Sequence, residues 1–142
     1  MKTWLGSSGV CINENGRLLM VLQGKPEEKH MWSIPSGGKE ADETFEECCI
    51  REIEEETGYR ARILKEIKVK RIRYEDLNIT AEVHYFLVVI VGGKRNIQDP
   101  DCLIYDIDWK DADEIKTLPL TFPEDRDFLI HYLTSSPSIT SR

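Results

Sequence analysis

The sequence contains no apolar run approaching the roughly 18 residues a bilayer-spanning helix requires. Its opening stretch, Met1 to Gly9, lacks the apolar centre of a secretion signal. The expectation is therefore a cytoplasmic protein with no membrane association. A basic excess is also missing. Nineteen Lys and Arg face 26 Asp and Glu, a net charge of −7, which argues against non-specific binding to nucleic acid or anionic surfaces. Cysteine is scarce and unpatterned: Cys11, Cys48, Cys49 and Cys102 form no CxxC and no zinc-like spacing with the three histidines. Reduced thiols packed as small hydrophobes are expected. No internal repeat is present, and compositional bias is confined to the Ser/Thr-rich residues 134–142. That segment has little to bury and reads as a disordered tail. Residues 1–133 read as one domain, and no sequence feature specifies an oligomer.

What the chain does have is charge crowded into one place. Residues 37–59 hold nine acids and only two bases, Lys39 and Arg51, so this segment alone carries the whole net charge of −7. Such crowding opposes folding unless water screens it or cations neutralise it.

The pattern of elements is that of a mixed α/β domain. Residues 8–12 and 17–22 flank Asn13-Glu14-Asn15-Gly16, a hairpin signature in which Asn15-Gly16 tolerates positive φ. Residues 63–74 read as a long strand with Ile63, Ile67 and Val69 on one face. Ile72 and Tyr74 fall on the other parity, and a bulge near Lys70-Arg71 would restore them. Residues 83–91 are almost continuously apolar, as in a strand covered on both faces. A strand at 103–109, a helical turn at 113–116 and a helix opened by Pro123 and running to about Leu133 complete roughly five strands and two main helices.

The most informative element is a helix from Thr44 to about Thr57. Thr44 and Glu47 form a capping box, and Gly58 stands where a left-handed C-terminal cap is wanted. At about 100° per residue, with Glu52 as origin, Glu55 falls about −60° and Glu56 about +40° away. Phe45, Cys48 and Cys49 lie on the same stripe, while Glu43, Glu47 and Glu54 cluster on the opposite side. An apolar, inward-looking stripe thus turns into three carboxylates at its C-terminal end. Like charges at these spacings repel, and a divalent cation would relieve both the repulsion and the burial. Hard oxygen donors suit Mg²⁺ or Mn²⁺. Just upstream, Gly37-Gly38 is either an ordinary turn or a place where backbone approaches a metal or phosphate without side-chain obstruction.

These residues resemble the signature of the Nudix hydrolase family: Gly37, Glu43, Arg51, Glu52, Ile53, Glu55, Glu56 and Gly58 stand at its fixed spacings. Tyr59 replaces the closing aliphatic, the sole departure over 23 residues. The resemblance implies an α/β/α sandwich with a mixed sheet, and hydrolysis of a diphosphate linkage in a small-molecule nucleotide. It implies metal binding by Glu52, Glu55 and Glu56 with the Gly37 carbonyl. Glu52 or Glu55 would orient or deprotonate the attacking water, and Glu43 with Arg51 would form a structural ion pair. Asp99 and Asp101, in a later loop, are candidates for a further acidic ligand or base, or simply for an exposed turn.

Substrate recognition is less sharply marked. Lys39 and the basic run Lys65, Lys68, Lys70, Arg71 and Arg73 offer phosphate contacts, or else a solvated strand face. Trp32, Tyr74, His84, Tyr85 and Phe86 offer stacking surfaces or core packing. The candidates taken forward are Trp32, Lys39, Arg71 and Arg73. Two alternatives accompany the nucleotide hydrolase: removal of pyrophosphate from RNA 5′ ends, disfavoured by the missing basic excess, and a nucleotide sensor that does not cleave.

Overall fold

An almost unbroken apolar run needs cover on both faces. The computed structural model, which describes residues 2–97 and 103–135, supplies that cover to β6 (Ile79–Gly93). This strand pairs in parallel with β1 (Lys2–Cys11) and antiparallel with β5 (Tyr59–Tyr74). A three-residue strand, β4 (Ser36–Gly38), adds antiparallel to the far edge of β1, so the mixed sheet runs β4-β1-β6-β5. A second sheet orders β3 (Met31–Ser33), β2 (Leu18–Gln23) and β7 (Ile104–Lys110) as β3-β2-β7.

Alternation along β1 and β6 sends side chains to two cores. On one face Cys11, Phe86 and Val88 pack with Cys49 and Ile53 of α1 (Phe45–Thr57) and with Leu19, Val21 and Ile107 of the second sheet. On the other, Val10, Tyr85 and Leu87 pack with Ile115 of α2 (Ala112–Thr117) and Leu129 of α3 (Arg126–Ser135). The result is an α/β/α sandwich. The close seat of α1 depends on Gly9, where a Cβ would stand 2.6 Å from Cδ1 of the fully buried Ile53. Among the described residues, no helix is long and apolar enough to cross a membrane.

Local chemistry delimits α1 as its sequence requires. The Thr44 hydroxyl accepts from Glu47 N at 3.0 Å while the Glu47 carboxylate accepts from Thr44 N at 2.8 Å. Gly58 ends the helix at φ 83 and donates to Glu54 O. The short helix α2 repeats the device with Asp111 and Glu114. Cys11, Cys48 and Cys49 are buried free thiols, and burial pushes Cys11 and Cys49 up to about 12; Cys102 lies outside the described residues.

Several expectations need correction. The Asn13–Gly16 segment does turn, with the Asn13 side chain accepting from Asn15 N and Arg17 N at 3.0 Å, but only Gly16 has positive φ. No hairpin follows. A single bridge, Ile12 to Leu18, joins the two strands before they diverge into separate sheets, each drawn away by longer-range partners. The strand β5 shifts register at Arg60/Ala61, Ile63/Lys65 and Glu66/Lys68, not at Lys70-Arg71. Ile63 therefore joins the core under α1 while Ile67 joins the opposite one. The strands number seven among the described residues, because β3 and β4 are too short to show a period. Pro123 opens a single 3₁₀ turn that leads into α3, which runs to Ser135, past the boundary expected at 133.

The caps make unequal predictions. Thr44→Ala should cost about 1 kcal/mol, the usual worth of an N-cap. Gly58→Ala should cost clearly more than the ordinary ~1 kcal/mol of a left-handed site, because its Cβ would overlap the Lys94 carbonyl and lie 2.7 Å from Asn96 N. Urea unfolding of both variants checks the order.

Candidate functional site

Pairing of β4 with β1 sets Gly37 opposite Ser7, on the face that α1 covers. A Cβ on Gly37 would fall inside the Glu52 carboxylate, so glycine is what allows this backbone and that acid to meet. The Gly37 carbonyl accepts a hydrogen bond from Cys48 Sγ at 3.5 Å. Next to it, Ser36 N donates to Glu56 Oε1 at 3.3 Å, and Glu56 is only 8% exposed. The Glu52 and Glu55 side chains are 15% and 36% exposed.

Arg51 holds this cluster together. Its Nε and Nη2 grip Glu43 at 3.0 and 2.6 Å, Nη2 also donates to Gly38 O at 3.0 Å, and Nη1 reaches Glu52 and Glu55 at 3.1 Å each. The bidentate guanidinium holds the Glu43 carboxyl down at about 2. Glu52 moves the other way: burial raises its pKa, the Arg51 charge opposes the rise, and Glu55 adds to it.

Gly37, Gly38, Glu52, Glu55 and Glu56 line a cleft of ≈ 480 Å³, closed from the second sheet by Gln23 and Ile104. Its donors are oxygens, as Mg²⁺ or Mn²⁺ prefers. Among the described residues, no three His, Cys, Asp or Glu side chains already converge as a ready-made cage; Arg51 supplies the countercharge to Glu52 and Glu55 instead. One or two carboxylates completed by substrate phosphates is the ordinary arrangement for Mg²⁺, and the residues present fit it.

With this geometry the chain can be set beside known proteins. A family model described as NUDIX domain matches residues 3–132. The chain belongs to the Nudix family. Over 90 residues it is 34% identical to a Bacillus subtilis protein named putative 8-oxo-dGTP diphosphatase, a match covering 63% of this chain and 55% of that protein. The chain thus spans about half the length of that relative. It is 28% identical over 130 residues to the ADP-ribose pyrophosphatase of the same organism, covering 87% of this chain and 69% of that one. A solved structure of a NUDIX hydrolase from Nitrosomonas europaea superposes with a TM-score of 0.78 at 19% identity, covering 99% of this chain and 92% of that one. Its fold is the same.

The remaining candidates of this Nudix protein lie outside the carboxylate cleft. Trp32 is 8% exposed and packs in the core beside α2 and α3, with Lys110 Nζ 4.3 Å above its ring. Lys39 donates to Glu40 O and lies over Phe45. Arg71 and Arg73 are exposed and paired with Glu82 and Glu75. His84 stacks on Phe45, with its two ring nitrogens 2.6 and 2.8 Å from Glu66 and Glu82. Burial disfavours its charge, but those hydrogen bonds prevail and its pKa is raised. Asp99 and Asp101 lie outside the described residues.

A second cavity, ≈ 320 Å³ and mostly apolar, opens on the sheet face away from α1. Trp4, Ile72, Tyr74, Leu77 and Phe122 wall it, and Ser36 lines both it and the carboxylate cleft. Sequence reasoning missed Trp4, Ser36 and Phe122. No local pattern marks them, because they come from three distant segments.

Acid titration tests the Arg51 clamp. A depressed carboxyl contributes stability that is present above its ordinary value of 4.5 and is lost as pH falls toward about 2. Glu43→Gln should therefore lower stability at neutral pH and flatten the acid limb over that window, as followed by circular dichroism.

Proposed function

We propose that this Nudix protein hydrolyses a diphosphate linkage in a nucleoside diphosphate derivative or nucleoside triphosphate. Glu52, Glu55, Glu56 and the Gly37 carbonyl would hold Mg²⁺ or Mn²⁺. One observation carries the reading: an oxygen-lined cleft and an aromatic-walled cavity meet at Ser36. One compartment suits a polyanion once a cation is present, and the other suits a flat apolar ring. A nucleotide has both parts. The two relatives support the same class, since one name specifies a nucleoside triphosphate and the other a nucleoside diphosphate derivative.

A bound divalent cation would neutralise the diphosphate and lower the pKa of a bound water. The chain's own residues do the rest. Glu52 or Glu55 accepts a hydrogen bond from the attacking water and takes its proton; both line the cleft. Arg51 keeps these acids from drifting apart, and Glu43 fixes Arg51 in turn. The absent side chains of Gly37 and Gly38 leave room for phosphate oxygens. The base would rest against Trp4, Tyr74 and Phe122. Trp32, Lys39, Arg71 and Arg73 have no place in this assignment, since none lines either the cleft or that cavity.

A panel of nucleoside triphosphates, nucleotide sugars, ADP-ribose, dinucleoside polyphosphates and 5′-triphosphate RNA tests the reading. Turnover should require Mg²⁺ or Mn²⁺. Glu56→Gln should lower it at least about 100-fold, the scale of losing a group that positions charge or a proton, with an unchanged circular dichroism spectrum. Full turnover in excess EDTA would overturn the proposal, and a nucleotide bound but uncleaved in Mg²⁺ would favour the sensor.

A further inference from the structure

Among the described residues that line the apolar cavity, Lys70 is the one ionic group. Its ammonium lies 3.2 Å from Glu124 Oε2 and 3.2 Å from Asp125 Oδ1, and over the rings of Tyr85 and Phe122 at 5.4 and 4.9 Å. The Lys70 side chain is 12% exposed and that of Asp125 only 5%. Asp125 also accepts from the Tyr85 hydroxyl at 2.7 Å, which spends that donor. A lysine ammonium has three N–H bonds and no lone pair. Two of them serve the carboxylates, and one is left for whatever enters the cavity Lys70 helps to line. Ser8, Ser36 and Tyr74 line it with hydroxyls that donate or accept with equal ease, and Trp4 adds one neutral indole N–H. The hydroxyls cannot tell a carbonyl from an amine, and the indole carries no charge. Lys70 can.

We infer that Lys70 is a specificity-determining residue that selects substrates whose base presents a carbonyl edge, a 6-oxopurine or 4-oxopyrimidine, over their amino counterparts. The inference rests on the nucleotide reading above and goes beyond it by naming the class of base. A 6-oxopurine presents two adjacent acceptors, O6 and N7, to a donor-only cation, whereas a 6-aminopurine turns N–H bonds toward it. Glu124 and Asp125 hold the ammonium at the wall, so little ordering remains for the substrate to impose. A purely structural role, neutralising the buried Asp125, would affect stability and leave base choice untouched.

Inosine and adenosine triphosphates provide the test, because their bases differ only at the 6-position and the adjoining N1 proton. Wild type should show a kcat/KM ratio favouring the inosine compound by about tenfold or more, the usual scale for one discriminating polar contact in a site. Lys70→Met should bring the ratio close to one. Lys70→Gln, whose neutral amide both donates and accepts, should narrow it if the Met variant does not fold. Lys68→Met, which removes a cation over Tyr85 and Phe128 but outside the cavity lining, should leave it unchanged. The ratio is independent of the folded fraction in each preparation. The free nucleosides inosine and adenosine, titrated in metal-free buffer and followed by calorimetry, read the same preference without any hydrolysis. A failure of turnover alone therefore counts against the hydrolase reading, not against Lys70. An unchanged ratio in both Lys70 variants, a wild-type preference for the amino base, or no binding of either nucleoside would overturn the inference.

Discussion

One guanidinium makes the acidic helix tolerable. The segment 37–59 carries the chain's whole net charge, and Glu54, Glu55 and Glu56 stand at the C-terminal end of α1, where the helix dipole is already unfavourable to anions. No basic residue occupies that last turn. Arg51, one turn earlier, provides the countercharge, reaching Glu43, Glu52, Glu55 and the Gly38 carbonyl together. It couples the loop that precedes the helix to the acids that follow, so the placement of the site and the stability of the segment depend on the same contacts. Like-charge repulsion between Glu52 and Glu55 remains, and the surrounding fold sustains it.

The sheet edge organises what surrounds that cluster. The strand β4 is only three residues long and has β1 as its one neighbour in the sheet. Gly37 looks toward α1, while Ser36 borders the apolar cavity on the opposite face. A ligand with a charged chain and a flat apolar ring can thus address both faces of one sheet by passing round a short edge. The two ends meet different physics: carboxylates and backbone oxygens on one side, aromatic rings and a tethered ammonium on the other.

Legibility from sequence followed the range of the interactions. The limits of α1 were readable because Thr44, Glu47 and Gly58 act on backbone within one turn. The stripe of Glu52, Glu55 and Glu56 was readable because helical geometry alone sets their relative angles. The hairpin at Asn13–Gly16 misled for the converse reason: the turn is local, but strand partners are chosen by burial, and β1 pairs with β6, 77 residues further along the chain. The displaced bulges in β5 reflect the same dependence, since its register answers to β6 and to two cores that its own alternation does not reveal. Trp32 looked available for stacking, yet its bulk serves the core under α2 and α3.

By itself the sequence determined the acidic helix, its caps, the facing of its carboxylates and the glycine pair beside them, because each follows from contacts between residues close along the chain. Only the tertiary structure decided which surface meets those acids. It brought Gln23 from another sheet to the cleft, and it gathered Trp4, Lys70 and Phe122 around a cavity. Such assemblies depend on which strands neighbour one another, and that choice is made by burying apolar area across the whole domain, a quantity no short window of sequence contains.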